Sequence, residues 1–281
     1  MDFKLSYIIG IIVVIIVIVV AAAAYAGVFT KPSKITIAGS TSVQPVITTL
    51  AAQYHKENPK VNITVSGGGS AVGLTDVQQG TANIGTYSSK LSNSTANANY
   101  TGPSITQYTI ANDGIVIVVN PSNNVSALNS SQIKSIFAGN ITTWSQVGGS
   151  NAKIDVYTRE AGSGTRSAFT SLIMGGGNIT SSAVVQSSSN AIFQAVAGDP
   201  NGIGYDSLAS LTSIVKALQV NGVAPSQSTV ASGAYTTQRP FLLLTKGNAT
   251  GQTQAFINWI LSPEGQKIVQ QSGAVPVGPT S

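Results

Sequence analysis

Three times in this chain a short apolar run stops at a turn of glycine, serine and threonine and restarts as a helical pattern: "IAGSTSVQP" at 37–45, "VSGGGSAVG" at 65–73 and "TREAGSGTR" at 158–166. A helix that begins straight after a strand leaves its first backbone N–H groups unbonded, and its dipole adds partial positive charge at that end. An anion satisfies both. Glycine lets the backbone approach a ligand without a Cβ in the way, and a guanidinium at Arg159 or Arg166 can fork two donors onto a carboxylate or phosphate. A single turn of this kind also reads as an ordinary helix cap. Three of them read as parts of a converging oxyanion site, with hydroxyls and amides around the ligand and Arg159 adding formal charge.

The same alternation runs through the rest of the chain. "KITIAG", "VNITVSGGG", "ANIGTYS", "GIVIVVN", "KIDVYTR", "IGYDSL" and "FLLLT" read as strands, between helical patterns such as "SSQIKSIFAG" and "TQAFINWIL". After the first strand, Val43, Val46, Ile47, Leu50 and Tyr54 recur at helical spacing with Pro45 in the first turn. The pattern predicts an α/β fold with largely parallel sheets. The Ser/Asn-rich stretches near 88–104 and 180–190 read as surface loops.

Only 8% of the 281 residues are charged, so the polar surface must come from Ser, Thr, Asn and Gln. The net charge of +5 rests on scattered basic residues with no run that could track a nucleic-acid backbone, and nucleic acid is not an expected partner. His55 is the single histidine and sits at a polar helix end, so no Ser-His-Asp set forms around it. Nine dispersed acidic residues and no cysteine suggest no metal site. "GGGSAVG" has Val72 where a dinucleotide fingerprint needs its third glycine, and "GNATGQT" lacks the lysine of a nucleotide phosphate loop. Neither an enzyme nor a cofactor is expected.

From Leu5 to Phe29 the chain carries no charge over about 25 residues, enough to span a bilayer as a helix. Its end, "AAAAYAG", also has small residues of the kind a signal peptidase cuts, so residues 1–34 read as a signal or anchor helix with a short linker. The apolar run exceeds the usual signal core, which favours a retained anchor. Sequons at Asn62, Asn93, Asn99, Asn124, Asn129, Asn140, Asn178 and Asn248 suggest glycosylation and an extracytoplasmic location. With the lack of cysteine and of charge, they fit an archaeal surface protein.

Residues 35–277 resemble the phosphate-binding receptors of phosphate ABC transporters, members of the type II periplasmic binding proteins. The likeness rests on "GSTSVQP", "GGGSAVG", "DGIVIVVNPSN", "IFAGNITTWSQVGG", "TREAGSGTR", "NGIGY" and "LSPEGQKIV" in that order. It implies a two-lobed α/β fold with two crossovers, near Ile115 to Asn120 and Ser228 to Gln238. One lobe would comprise 35–115 with 238–281, the other 116–237. It also implies a monomeric receptor that binds phosphate between its lobes and delivers it to a membrane permease. Alternatives are a receptor for sulfate, molybdate or tungstate, or a surface phosphohydrolase using the same cradle.

Carried over residue by residue, the resemblance assigns phosphate binding to Thr41 and Ser42 at the first turn, Ser70 at the second, and Arg159, Ser163, Gly164 and Thr165 at the third. Arg166 has a counterpart in only some members. Where the best-known members have an aspartate that accepts the ligand's proton, this chain has Ser88. Asp113 in "ANDGIVIVVN" is the alternative acceptor, against a plain reading as a turn residue before Gly114.

A retained anchor predicts that the protein stays in the membrane fraction after a high-salt wash, because salt does not screen hydrophobic transfer. Intact-mass measurement should then place the N-terminus at or near Met1. A start near residue 27 would show cleavage.

Overall fold

The computed structural model describes residues 32–93 and 101–280, together with Ile15, Ile16 and Ile18. The rest of the expected spanning segment and the Asn99 sequon lie outside the described residues. Among the described residues no helix is long and apolar enough to cross a membrane.

The chain opens with strand β1 (Ser33–Gly39), helix α1 (Gln44–Glu57), β2 (Val61–Gly68), α2 (Ser70–Gln79) and β3 (Ile84–Tyr87). The expected stripe on α1 is buried, with Val46, Ile47, Leu50 and Tyr54 against the sheet and a proline in its first turn. A long strand follows, β4 (Ile105–Val119), then a short β5 (Ala127–Leu128) and α3 (Ser130–Phe137). Next come β6 (Asp155–Arg159), α4 (Gly164–Leu172), β7 (Val184–Gln186), α5 (Ser189–Gly198), β8 (Gly202–Ser207), β9 (Lys216–Ala217), β10 (Gln219–Val220) and α6 (Gln227–Ala231). The chain closes with β11 (Gln238–Lys246), α7 (Gly251–Leu261), α8 (Pro263–Gln271) and β12 (Val275–Pro276).

The main sheet runs β2-β1-β3-β11-β4-β8-β6-β7. Its outer pairs, β1 with β2 and β3, and β6 with β7 and β8, are parallel, as the strand and helix alternation predicts. Its centre is antiparallel, which the alternation did not reveal: β11 pairs antiparallel with both β3 and β4, and β4 with β8. The cause is the path between two lobes. A strand that crosses from one to the other needs a return strand beside it, and adjacent outgoing and returning strands run in opposite directions.

β4 is the shared element. Residues 105–114 pair with β11, and residues 115–119 pair with β8. Along "IVIVV" successive side chains point to opposite faces. Ile115, Ile117 and Val119 enter a core with Phe137, Trp144, Phe169 and Tyr205, while Val116 and Val118 pack with Ile192, Phe193 and Val196. The other lobe has its own core around Ile35, Ile37, Leu50, Tyr54, Phe241, Leu243, Phe256 and Ile260. The first half of β4 was not expected as a strand, because "ITQYTIAN" intersperses polar residues; it forms because β11 requires a partner.

Where the lobes join, Asp113 on β4 lies opposite Arg239 on β11. Arg239 donates through Nε and Nη2 to Asp113 Oδ2 at 3.2 and 3.0 Å and through Nη1 to the Ser88 carbonyl at 2.9 Å. Asp113 Oδ1 accepts the Ala209 amide at 3.0 Å. Burial holds the Asp113 carboxyl above the usual carboxylate range, against the lowering effect of Arg239.

Arg239→Ala should cost about 3–5 kcal/mol of stability, because it leaves a buried carboxylate without its partner. A carboxyl raised in the folded state favours folding in acid and loses that contribution as pH rises through its folded pKa. The loss in denaturant titrations should therefore be smaller in acid than at neutral pH.

Candidate functional site

The three glycine-rich turns meet between the lobes, and they begin their helices differently. α1 and α2 have no side-chain cap; α2 starts from Gly69 at φ 96°, a conformation that favours glycine. Ahead of α1, Ser40 Oγ accepts the Val43 amide at 3.4 Å, and its carbonyl accepts the Gln44 amide at 3.0 Å. α4 is capped by Ser163, whose Oγ accepts the Arg166 amide at 3.3 Å.

Ser42 lies at the centre of the site. Its Oγ is 2.8 Å from Thr165 Oγ1 and 2.9 Å from Ser189 Oγ, and it donates to Asp206 Oδ1 at 3.1 Å. Arg159 reaches the same group from the end of β6. It donates through Nη1 to Asp206 Oδ2 at 2.9 Å and to Ser189 Oγ at 3.2 Å, and through Nη2 to Thr41 Oγ1 at 2.9 Å. Its Nε and Nη2 also grip the two Glu160 oxygens at 2.8 and 2.9 Å. Burial alone would lower the Arg159 pKa, but Asp206 and Glu160 outweigh it and hold the guanidinium above its ordinary value.

An aromatic pile supports the two strands that carry these groups. Phe169 stacks on Tyr205 with centroids 3.8 Å apart, and the Tyr205 hydroxyl is 2.8 Å from Thr158 Oγ1. Burial pushes the Tyr205 phenol up to about 12, so it remains neutral beside the site.

A second knot of hydroxyls adjoins the first. Ser40 Oγ donates to Ser88 Oγ at 2.8 Å, and the Ser88 amide donates to Ser70 Oγ at 3.2 Å. Gly164, the first residue of α4, presses against this knot, and a Cβ there would fall inside contact distance of both the Ser70 and Ser88 hydroxyls. The Ala71 amide donates to the Gly162 carbonyl at 3.0 Å, another bond between the lobes.

Thr41, Ser42, Ser70, Ser88, Arg159, Ser163, Gly164 and Thr165 are thus gathered at one place. Asp113 is not: both of its oxygens are engaged at the lobe junction, by Arg239 and the Ala209 amide, and Arg239 in turn bonds the Ser88 carbonyl. Arg166 turns its Nη1 to the Arg159 carbonyl at 2.9 Å.

Two residues were missed. Ser189 falls in the stretch read as a surface loop, yet it is buried at the start of α5, where Ser188 caps the Ala191 amide. The signal was a serine followed by Ile192, Phe193 and Val196 at helical spacing. Asp206, 0% exposed, follows the "NGIGY" match by one residue; a carboxylate ending an apolar strand was the available signal.

A PBP superfamily domain matches residues 24–264. The chain is 33% identical over 248 residues to the phosphate-binding protein PstS of Bacillus subtilis, covering 86% of this chain and 80% of that protein. The chain belongs to this superfamily, among its phosphate-binding proteins. Similar solved structures include one named for a phosphate ABC transporter substrate-binding protein with bound phosphate from Clostridium perfringens, with TM-score 0.82, 35% identity and coverage of 87% of this chain and 100% of that one. Another is an ABC-type phosphate transport receptor from Vibrio cholerae, with TM-score 0.70, 36% identity and coverage of 86% and 99%. The two-lobed α/β fold expected from the motifs is the fold of this family.

Gly164→Ala should strain lobe closure by about 1–3 kcal/mol through overpacking against Ser70 and Ser88. Hydrogen exchange should quicken roughly tenfold at the Ala71 and Ser189 amides, which bond across the cleft, while the β4 amides keep their protection.

Proposed function

We propose that this chain is an extracytoplasmic receptor that binds inorganic phosphate between its lobes and hands it to an ABC permease. It acts by binding and catalyses no reaction. The observation that carries the reading is the meeting of three strand-turn-helix elements around Arg159, with Ser42 and Thr165 bonded across the cleft. Thr41, Ser42, Ser70, Arg159, Ser163, Gly164 and Thr165 supply hydroxyl, amide and guanidinium donors to the anion, and Ser88 supports Ser70. Asp113 is a structural residue of the lobe junction. We divide the lobes at 35–115 with 238–281 and at 116–237, supported by the change of β4's partner between Gly114 and Ile115.

The receptor is monomeric, does not bind nucleic acid, and is held at the outer face of an archaeal membrane by its N-terminal apolar segment. It carries N-linked glycans. Exposure of the sequon asparagines Asn62, Asn93, Asn124, Asn129, Asn140, Asn178 and Asn248 supports that reading, since a glycan needs open surface.

Closure removes water from the cleft and strengthens each hydrogen bond to the anion, so the closed form is the one the permease engages. Calorimetry should give tight binding of phosphate and much weaker binding of sulfate and molybdate. Arg159→Ala should lower phosphate affinity by tens-fold or more, since truncating one partner of a buried charge pair costs about 2–5 kcal/mol. Unchanged binding in that variant would move the anion site elsewhere.

A further inference from the structure

A second space between the lobes opens at the start of β11. It is a cavity of about 90 Å³, lined by Lys90, Gln238 and Arg239 from one lobe and by Ala168, Ser171 and Leu172 on α4 from the other. None of these six supplies a donor to the cradle described above.

Arg239 decides what this space can hold. A guanidinium has five N–H donors. Nε and one N–H of Nη2 go to Asp113 Oδ2, and one N–H of Nη1 goes to the Ser88 carbonyl. The remaining two, one on each terminal nitrogen, have no acceptor among the described residues, although the side chain is only 1% exposed. At Arg159, by contrast, protein acceptors engage every N–H. A buried cation with unspent donors is costly, so an acceptor brought against them is favoured. Phe241 covers one face of the Arg239 guanidinium, with its ring centroid 5.5 Å from Cζ, which leaves the edge for an acceptor.

The neighbours add two further donors. Lys90 is exposed and Gln238 half-buried, and neither side chain makes a hydrogen bond or ion pair among the described residues. Arg239 and Lys90 against Asp113 leave one positive charge, which suits a monoanion. The volume is that of about three water molecules at ~30 Å³ each, so a ligand of three or four heavy atoms fits. The α4 side of the cavity is apolar at Ala168 and Leu172. A tetrahedral oxyanion would turn an oxygen to that wall, and a halide would leave it uncovered. A short carboxylate puts two acceptor oxygens on the cationic side and hydrocarbon on the other.

We propose that this cavity is a second anion site, separate from the phosphate cradle, which takes a short-chain monocarboxylate of the acetate class. The carboxylate accepts from the edge of Arg239, from Lys90 and from the Gln238 amide, and its methyl group packs on Ala168 and Leu172. Because the walls come from both lobes, the bound carboxylate also joins them.

NMR of the full chain in detergent micelles at neutral pH, titrated with carbon-13-labelled sodium acetate at constant ionic strength, tests this. The acetate signal should broaden and shift saturably, to the same extent with and without inorganic phosphate. No saturable change overturns the inference. Loss of binding when phosphate is added assigns acetate to the cradle and overturns it too, while leaving the phosphate receptor reading intact. Burial of one methyl group should favour acetate over formate by about threefold, and Leu172→Ala should narrow that preference. Formate and acetate bound equally by the wild type, or chloride displacing acetate at equal concentration, overturns the carboxylate assignment. Lys90→Ala, at an exposed position, should weaken acetate binding by roughly three- to tenfold. Gln238→Leu should weaken it as well. Arg239 variants are avoided because that side chain also holds the lobe junction. Acetate binding unchanged in folded Lys90→Ala and Gln238→Leu proteins places the carboxylate elsewhere and overturns the site.

Discussion

A guanidinium buried at the end of a strand is costly unless every N–H finds an acceptor, and this requirement at Arg159 organises the space between the lobes. Glu160, next in the chain, takes two of its donors, and Asp206 on the neighbouring β8 takes a third. The remaining two reach Thr41 and Ser189, one in each lobe. The group that supplies charge to the site is therefore also a bond between lobes. Ser42, joined to Thr165, Ser189 and Asp206, extends that bond into a network in which hydroxyls can exchange partners and carboxylates cannot.

That network lies between two separately packed lobes, and β4 joins them. Each lobe has its own apolar cluster, so neither depends on the cleft for its core. The strand passes from one to the other with a change of partner at Gly114, and Tyr235 fastens the return path by donating to the Ile115 carbonyl at 2.8 Å. Asp113 and Arg239 lie at this junction, where Arg239 also holds the carbonyl of Ser88. The junction is thus bonded to the cradle through the Ser88 carbonyl, and Ser88 through its amide to Ser70.

Much of this was legible in the chain. The three turns announced themselves by pairing an apolar strand with a helix start and small residues between, and the structure brings Ser42, Ser70, Ser163, Gly164 and Thr165 to one cleft. α1 was readable from Val46, Ile47, Leu50 and Tyr54, since helical spacing is a local property. Ser189 was hidden because a run of serines before a helix resembles a loop until something buries it. The first half of β4 was hidden because its polar residues mask a strand that only β11 calls into being. Asp113 was misplaced because an aspartate before glycine at a crossover gives no indication of which way its carboxylate faces.

By itself the sequence determined the alternating elements, the donor chemistry of the turns and the family they belong to, because strand and helix periodicity, glycine freedom and hydroxyl or guanidinium donors are properties of short segments. Which carboxylate enters the cradle was decided only by the tertiary structure. Asp113 and Asp206 each sit in an apolar strand context, yet Arg239 captures the first at the lobe junction, while the adjacency of β6 and β8 sets the second against Arg159. The physical reason is that a buried charge goes where its partner is, and these partners lie 126 and 47 residues away along the chain.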